Sequence, residues 1–153
     1  MKKIIFTFGF FFVLFLNINA QNDSIPHNTI EQQQKAIQVA TEWISMFYEA
    51  ENTDALMNIS KLPFAINNEK ISNSNKEIEA MYASIIEDKS QLKKPKLKAE
   101  IYKEEHKLIE GFSFVNFLLV FLTITEKKDE RPESLLVFVE IDGENYKVIG
   151  FQD

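Results

Sequence analysis

The chain has 153 residues, a formal net charge of −6 and no cysteine. The absence of cysteine excludes disulfides, thiol chemistry and lipid attachment at a cysteine. The acidic balance argues against binding to nucleic acid or to anionic membrane surfaces, both of which favour a basic face, and is typical of a chain kept soluble by its charge.

The first twenty residues have the pattern of an export signal. Lys2 and Lys3 precede an apolar run over 4–16, and Ala20 offers a small residue for cleavage before Gln21. Charge, apolar run and small residue in this order are typical of a signal peptide. The apolar run is shorter than the roughly 20 residues that cross a bilayer. A retained membrane anchor is the alternative interpretation.

Cleavage near Ala20 defines the expected mature protein. It removes two lysines and no acidic residue, so the net charge falls from −6 to −8. A polar, loose leader is expected over 21–28, followed by a single domain over 29–153. We therefore expect a periplasmic or extracellular protein with no transmembrane segment in its mature chain.

Two helices are predicted at the start of this domain. From Thr29, apolar residues recur at three- and four-residue spacing for about 20 residues, the pattern of an amphipathic helix. These residues are Ala36, Ile37, Ala40, Trp43, Ile44 and Phe47. The segment 52–54, Asn-Thr-Asp, supplies capping side chains for a short second helix. Pro63 ends that helix, because the residue before a proline is disfavoured in the α region.

A small hairpin and a third helix follow. Residues 64–66 and 70–71 are predicted to form two short extended arms around Asn67-Asn68, since asparagine tolerates the left-handed conformation of tight turns. Ser74 and Glu77 have the spacing of a capping box, which predicts a helix start. The apolar face of this third helix carries Ile78, Met81, Tyr82 and Ile85.

After Pro95 the hydrophobic pattern changes to a period of two, which predicts strands. The first is an alternating strand over 97–102, and the second is an apolar strand within 112–125 that is expected to be covered on both faces. Two further strands are expected over 134–142 and 145–151, joined by the hairpin signal Asp142-Gly143.

These elements predict an α+β fold with three N-terminal helices packed on a curved antiparallel sheet of four long strands plus a short hairpin. An antiparallel sheet of this kind has an apolar face to cover, and the amphipathic helices provide the cover. Curling the sheet around the long first helix would leave a partly unfilled hollow at its wide end. The hairpin is expected to extend the edge of the sheet.

This order of elements resembles the nuclear transport factor 2-like superfamily, whose members have a cone-shaped, cystatin-like α+β fold. The resemblance rests on "ATEWISMFYEAENTDALMNIS" leading into "LPFAINNEKIS", and on the terminal hairpin "IDGENYKVIGF". It spans about residues 29–151, and Tyr146 stands where many relatives have Trp. The superfamily includes enzymes, transport adaptors and secreted proteins of unknown role, so the fold does not decide the function.

The steroid-isomerase branch of this superfamily provides a test for catalytic residues. The resemblance implies a proton-shuttling acid near Asn67 and a supporting tyrosine near Trp43 or Ile44. An asparagine amide does not accept a proton at useful pH, and neither tryptophan nor isoleucine offers a hydroxyl. Steroid-isomerase chemistry is therefore not expected.

Metal ligands and nucleophilic triads are also not predicted. His27 and His106 are the only histidines, and they do not form a pair at helical or strand spacing. A metal site needs several converging ligands, and a Ser–His triad needs a histidine next to the serine. We expect no metal and no cofactor.

Aromatic residues are the candidates for lining a pocket in the hollow, although such residues more often form plain core. The set is Trp43, Phe47, Phe64, Tyr82, Phe117 and Phe121. Tyr82 would supply the best polar group. Glu140 lies in an otherwise apolar strand, and its parity directs it either to solvent or into the hollow, where it would be a desolvated acid.

Three functions remain open from the sequence. The first is non-catalytic binding of a small apolar ligand or a protein partner. The second is a lyase- or isomerase-type enzyme with an acid–base pair such as Glu140 and Tyr82, which requires two polar groups close together in the pocket. The third is a structural module that forms a homodimer through an exposed apolar sheet face.

Overall fold

The computed structural model describes residues 28–49, 52–67, 70–105, 116–126 and 131–153. It has the predicted α+β class, with three helices and one mixed sheet of six strands. The expected signal peptide, most of the leader and both histidines lie outside the described residues. Within the described ranges, no helix combines the length and the apolar character needed to cross a membrane.

The three helices are α1 (Ile30–Glu49), α2 (Asp54–Ile59) and α3 (Asn75–Lys89). A reciprocal capping box begins α1, in which the Thr29 backbone N–H donates to Gln32 Oε1 at 2.8 Å and the Gln32 backbone N–H donates to Thr29 Oγ1 at 3.2 Å. The capping box predicted at Ser74 does not form, because the Glu77 carboxylate instead accepts a hydrogen bond from Ser72 Oγ at 2.6 Å. The helix nevertheless begins immediately after Ser74.

The six strands are β1 (Ser60–Ile66), β2 (Lys70–Ser72), β3 (Lys96–Glu105), β4 (Phe117–Thr125), β5 (Glu133–Asp142) and β6 (Asn145–Gln152). Their order across the sheet is β2-β1-β6-β5-β4-β3. The last four strands are consecutive antiparallel neighbours. Asn67, which directly follows β1, has a φ of 53°, the left-handed conformation that asparagine tolerates in turns.

The expectation of a wholly antiparallel sheet is wrong at one pairing, because β1 runs parallel to β6. Tight turns impose antiparallel pairing only on strands that they connect, whereas β1 and β6 are separated by α3 and four strands. The two strands approach closely at Gly150, where an added Cβ would lie 2.5 Å from the Ala65 carbonyl oxygen. A glycine is therefore required for this pairing.

The main core lies between the helices and one face of the sheet. Helix α1 packs against β3, β4, β5 and β6 as well as against α2 and α3. Even-numbered residues of β4 and odd-numbered residues of β5 point into this core, for example Val120, Leu122, Val137 and Val139, all fully buried.

A second, smaller cluster lies on the opposite face of the sheet, which we call the outer face. It is made only of strand residues: the buried Ala65, Phe117, Phe138 and Ile149, with Ile71, Leu119 and Leu136 packed against them. The sheet is thus apolar on both faces, although the helices in the described part of the chain join only the first cluster.

Candidate functional site

A cavity of about 490 Å³ lies on the helical side of the sheet, bounded by α1, α3, β4, β5 and β6. Its apolar lining consists of Trp43, Ile44, Phe47, Ile85, Ile124, Leu135 and Phe151. Its polar lining consists of Tyr48, Lys89, Glu133, Ser134 and Asp153. The volume falls in the range of about 300–1,000 Å³ that is typical of small-molecule pockets.

Aromatic rings in edge-to-face and tilted contact form the floor of this cavity. The ring centroids of Trp43 and Phe47 are 5.0 Å apart with an interplanar angle of 87°, and those of Trp43 and Phe151 are 5.7 Å apart at 40°. Such arrangements are the favoured ones for aromatic pairs and hold the rings in fixed orientations. The floor is therefore a preformed apolar surface.

Behind the floor, a chain of hydrogen bonds holds Trp43 in place. Trp43 Nε1–H donates to the Tyr82 hydroxyl at 3.1 Å, and the Tyr82 and Ser60 hydroxyl oxygens are 2.7 Å apart. Because Ser60 Oγ donates to the Leu56 carbonyl at 2.7 Å, the Tyr82 hydroxyl is the donor to Ser60. Burial raises the pKa of Tyr82 to about 12, so the hydroxyl stays neutral. Tyr82 thus orients the floor and does not line the cavity.

The mouth of the cavity carries a linked group of polar side chains. Glu126 Oε1 accepts hydrogen bonds from the Tyr48 hydroxyl at 2.7 Å and from Lys89 Nζ at 2.5 Å. Lys89 Nζ is also 3.6 Å from Glu133 Oε2. Glu126 and Lys89 are mostly buried, with side chains 16% and 26% exposed, whereas the Glu133 side chain is 65% exposed.

These contacts fix the protonation of the mouth. Burial, followed by the hydrogen bond to Glu126, raises the pKa of Tyr48 well above its usual range. Burial lowers the pKa of Lys89, but the hydrogen bond to Glu126 and the charges of Glu133 and Glu126 outweigh it, so the pKa of Lys89 is raised. At neutral pH Tyr48 is therefore a neutral donor and Lys89 a full cation.

The predicted pocket residues are divided between the two faces of the sheet. Trp43 and Phe47 line the cavity. Phe64 packs on Tyr82 and Phe151 within the main core, with ring centroids 6.0 and 6.3 Å apart respectively, and so supports the cavity from behind.

Phe117, Phe121 and Glu140 lie on the outer face, away from the cavity. Phe117 packs against Phe138 in the second cluster, with centroids 6.1 Å apart, and Phe121 follows at the same parity of β4. Since successive side chains of a strand alternate between faces, the residues of this parity cannot reach the helical side.

Glu140 occupies neither of the positions expected for it. It is 6% exposed, so it does not lie in solvent, and it shares the parity of Phe138, so it does not enter the cavity. Its Oε2 instead pairs with Lys61 Nζ at 2.6 Å. Glu140 and Tyr82 therefore lie on opposite faces of the sheet, and the structure does not bring them together as an acid–base pair.

Sequence reasoning missed the polar residues of the mouth. Tyr48 follows the apolar face of α1 by one residue from Phe47, and Lys89 is the last residue of α3. Glu126 directly follows β4, and Glu133 is the first residue of β5. Their only signal in the sequence was a position next to an apolar strand. Among the described residues, no group of three His, Asp or Glu side chains could hold a metal ion.

Comparison of the chain with models of protein families, with curated proteins and with solved structures gave no match.

Proposed function

We propose that this protein is an exported, cone-shaped member of the nuclear transport factor 2-like superfamily that binds a small, mainly apolar molecule without changing it. The order of elements supports the family assignment, with two helices, a short hairpin, a third helix and four antiparallel strands. The contact of α1 with each of β3 to β6 is consistent with a sheet that wraps this helix.

The observation that carries the proposal is the cavity of about 490 Å³ with a floor of aromatic rings. Burial of apolar ligand surface against such a floor is favourable by roughly 25 cal/mol per Å². Because the floor is held by ring packing and by the Trp43–Tyr82 hydrogen bond, little ordering is required on binding.

Trp43 provides a direct assay, because it is the only tryptophan of the chain and it lines the cavity. Titration with 1-decanol, a neutral apolar probe, is expected to change the intensity or the wavelength of Trp43 fluorescence in a saturable manner. Native mass spectrometry of protein purified from its own host would report a ligand that is retained.

Two adjacent leucines provide a matched pair of variants. Leu135 lines the cavity, whereas Leu136 packs in the second cluster on the outer face. Leu135→Phe should fill part of the cavity and weaken decanol binding by about tenfold or more, while Leu136→Phe should leave it unchanged. Equal effects of the two substitutions, or no saturable response in the unmodified protein, would contradict the proposal.

Homodimer formation through the outer face is the second candidate. Leu119, Phe121 and Leu136 are only half-buried on this face, so apolar surface remains open to a second chain. Sedimentation equilibrium tests this directly. A dimer that is lost in Phe121→Lys would favour it, and a monomer at tens of micromolar would exclude it.

A further inference from the structure

We propose that the molecule bound in the cavity carries a protonated amine, which lies at the mouth while its apolar body lies on the aromatic floor. This inference rests on the proposed binding function and adds the chemical class of the ligand. The observation behind it is the way in which the charges and hydrogen-bond donors of the mouth are already used.

Two of the donors that line the mouth, Tyr48 and Lys89, share one acceptor. The Tyr48 hydroxyl and Lys89 Nζ both donate to Glu126 Oε1, at 2.7 and 2.5 Å. Glu126 does not itself line the cavity. Lys89 has three N–H donors, but a ligand carboxylate that accepted from it would compete with Glu126 and Glu133 for the same cation, at a cost.

Acceptors at the mouth are in excess over donors. Glu133 and Asp153 line the cavity with exposed carboxylates, and Ser134 adds a hydroxyl. Lys89 Nζ contacts Glu126 at 2.5 Å and lies 3.6 Å from Glu133, so the described residues that line the cavity include one cation, Lys89, and two carboxylates, Glu133 and Asp153. This excess of carboxylates among the described lining residues attracts a cation and repels an anion.

The lining next to these carboxylates is aromatic, which also favours a cation. Tyr48, Trp43 and Phe47 lie along the last turns of α1, and Lys89 Nζ already lies 5.8 Å from the Tyr48 ring centroid. The faces of such rings attract ammonium groups. An alkyl or aralkyl amine thus satisfies both parts of the cavity, whereas a fatty acid satisfies only the floor.

Three probes of equal chain length separate the amine preference from the binding function. Decylamine, 1-decanol and decanoate are titrated at pH 7 and low ionic strength, below their micelle concentrations, with Trp43 fluorescence and calorimetry as readouts. Decylamine is expected to bind about tenfold or more tightly than decanoate, with decanol between them. Addition of salt should reduce the difference in affinity between decylamine and decanoate, because Glu133 and Asp153 are exposed and their charges are screened.

A charge-reversal variant and its control locate the effect. Glu133→Lys should weaken decylamine binding about tenfold and strengthen decanoate binding. Glu100→Lys makes the same change in net charge on β3, at a residue paired with Phe121 on the outer face, and should leave all three affinities unchanged.

Each outcome decides one of the two proposals. Decanol binding with equal affinities for the three probes, or with decanoate the tightest, would overturn the amine preference and leave the proposed function standing. Equal effects of Glu133→Lys and Glu100→Lys would overturn the assignment of the preference to the mouth. If none of the probes binds, the proposed function and the amine preference are both overturned.

Discussion

Removal of one hydroxyl group tests whether the floor of the cavity is held by the buried hydrogen-bond chain. Tyr82→Phe keeps the ring, which packs against Trp43, Phe47 and Phe64 at centroid distances of 5.4–6.0 Å. It removes the acceptor of the Trp43 Nε1–H and the donor to Ser60. The volume of the core changes little, so the effect reports on the hydrogen bonds.

The expected loss of stability follows from the groups that are left without a partner. Trp43 and Tyr82 are 1% and 0% exposed, so water cannot replace the lost contacts without entering the core. An unsatisfied buried donor costs about 1–3 kcal/mol, and a net hydrogen bond contributes about 1 kcal/mol. Ser60 keeps its bond to the Leu56 carbonyl and adds little to the loss. We expect Tyr82→Phe to lower the free energy of unfolding by about 2 kcal/mol.

Urea denaturation, monitored by circular dichroism, measures this change in the free energy of unfolding. With a typical slope of 1–3 kcal/mol per molar urea, the midpoint should fall by about 0.7–2 M. Tyr102→Phe is the matched control, because Tyr102 is 64% exposed, and it should change the free energy of unfolding by less than about 0.5 kcal/mol. In a Trp43→Phe background the orphaned donor no longer exists, so Tyr82→Phe should cost about 1 kcal/mol less. Equal effects of Tyr82→Phe and Tyr102→Phe would refute the reasoning.

Three further results are expected. The pKa of Tyr82 is raised from 10.0 to about 12 in the folded state, so this tyrosine ionises first in the unfolded chain. The free energy of unfolding is therefore intact below pH 10 and falls between pH 10 and 12. In alkaline denaturation this fall should be shallower for Tyr82→Phe. Gly150→Ala should lower the melting temperature by several degrees, because its Cβ would meet the backbone of β1. The control Gly143→Asn, at a turn with a φ of +60°, should not lower it. Equal melting temperatures of the two variants would argue against the parallel pairing. Lys61→Met should lower the free energy of unfolding by about 1–2 kcal/mol, because it removes the lysine that pairs with the buried Glu140. Adding Glu140→Leu to this variant should recover most of the loss. An unchanged urea midpoint for Lys61→Met alone would contradict this.

The helices were the part of the fold that local sequence signals could predict. The spacing of Ala36, Ala40, Trp43 and Phe47 predicts both the existence of α1 and its buried face, and all four residues are buried. Helical periodicity is repeated over five turns, so single exceptions do not obscure it. The capping box predicted at Ser74 shows the limit of such signals, because the Glu77 carboxylate accepts a hydrogen bond from Ser72 instead.

The pairing of β1 with β6 could not be predicted in the same way. Hairpin signals act between strands that are neighbours in sequence, whereas this pairing joins residues about 85 positions apart, such as Ala65 and Gly150. The glycine in β6 was a sign of a close backbone approach, but it did not identify the approaching strand. The turn at Asn67 adds to the contact, since its backbone N–H donates to the Phe151 carbonyl at 2.9 Å.

Three of the seven predicted pocket residues lie on the outer face, because strand parity alone does not say which apolar face meets the helices. In β4 both sets of alternate residues are apolar, so Phe117 and Phe121 were as eligible for the cavity as Leu118 and Leu122. Parity in β5 was more informative, since Glu140 interrupts one set.

That interruption has a physical meaning which the sequence of β5 alone could not supply. A carboxylate can be buried in an apolar strand when a cation from another strand reaches it, and here Lys61 of β1 does so across the outer face. The Lys61–Glu140 ion pair lies beside the apolar cluster that contains Phe117 and Phe138. Phe117 is the direct cross-strand neighbour of Glu140. A second chain docking on this face would therefore meet an ion pair with a fixed position, and a fixed charge disfavours alternative registers of such a contact. If the protein dimerises through its sheet, the Lys61→Met, Glu140→Leu double variant should associate more tightly but with less defined geometry than the unmodified chain, whereas a monomeric protein would show only the change in stability.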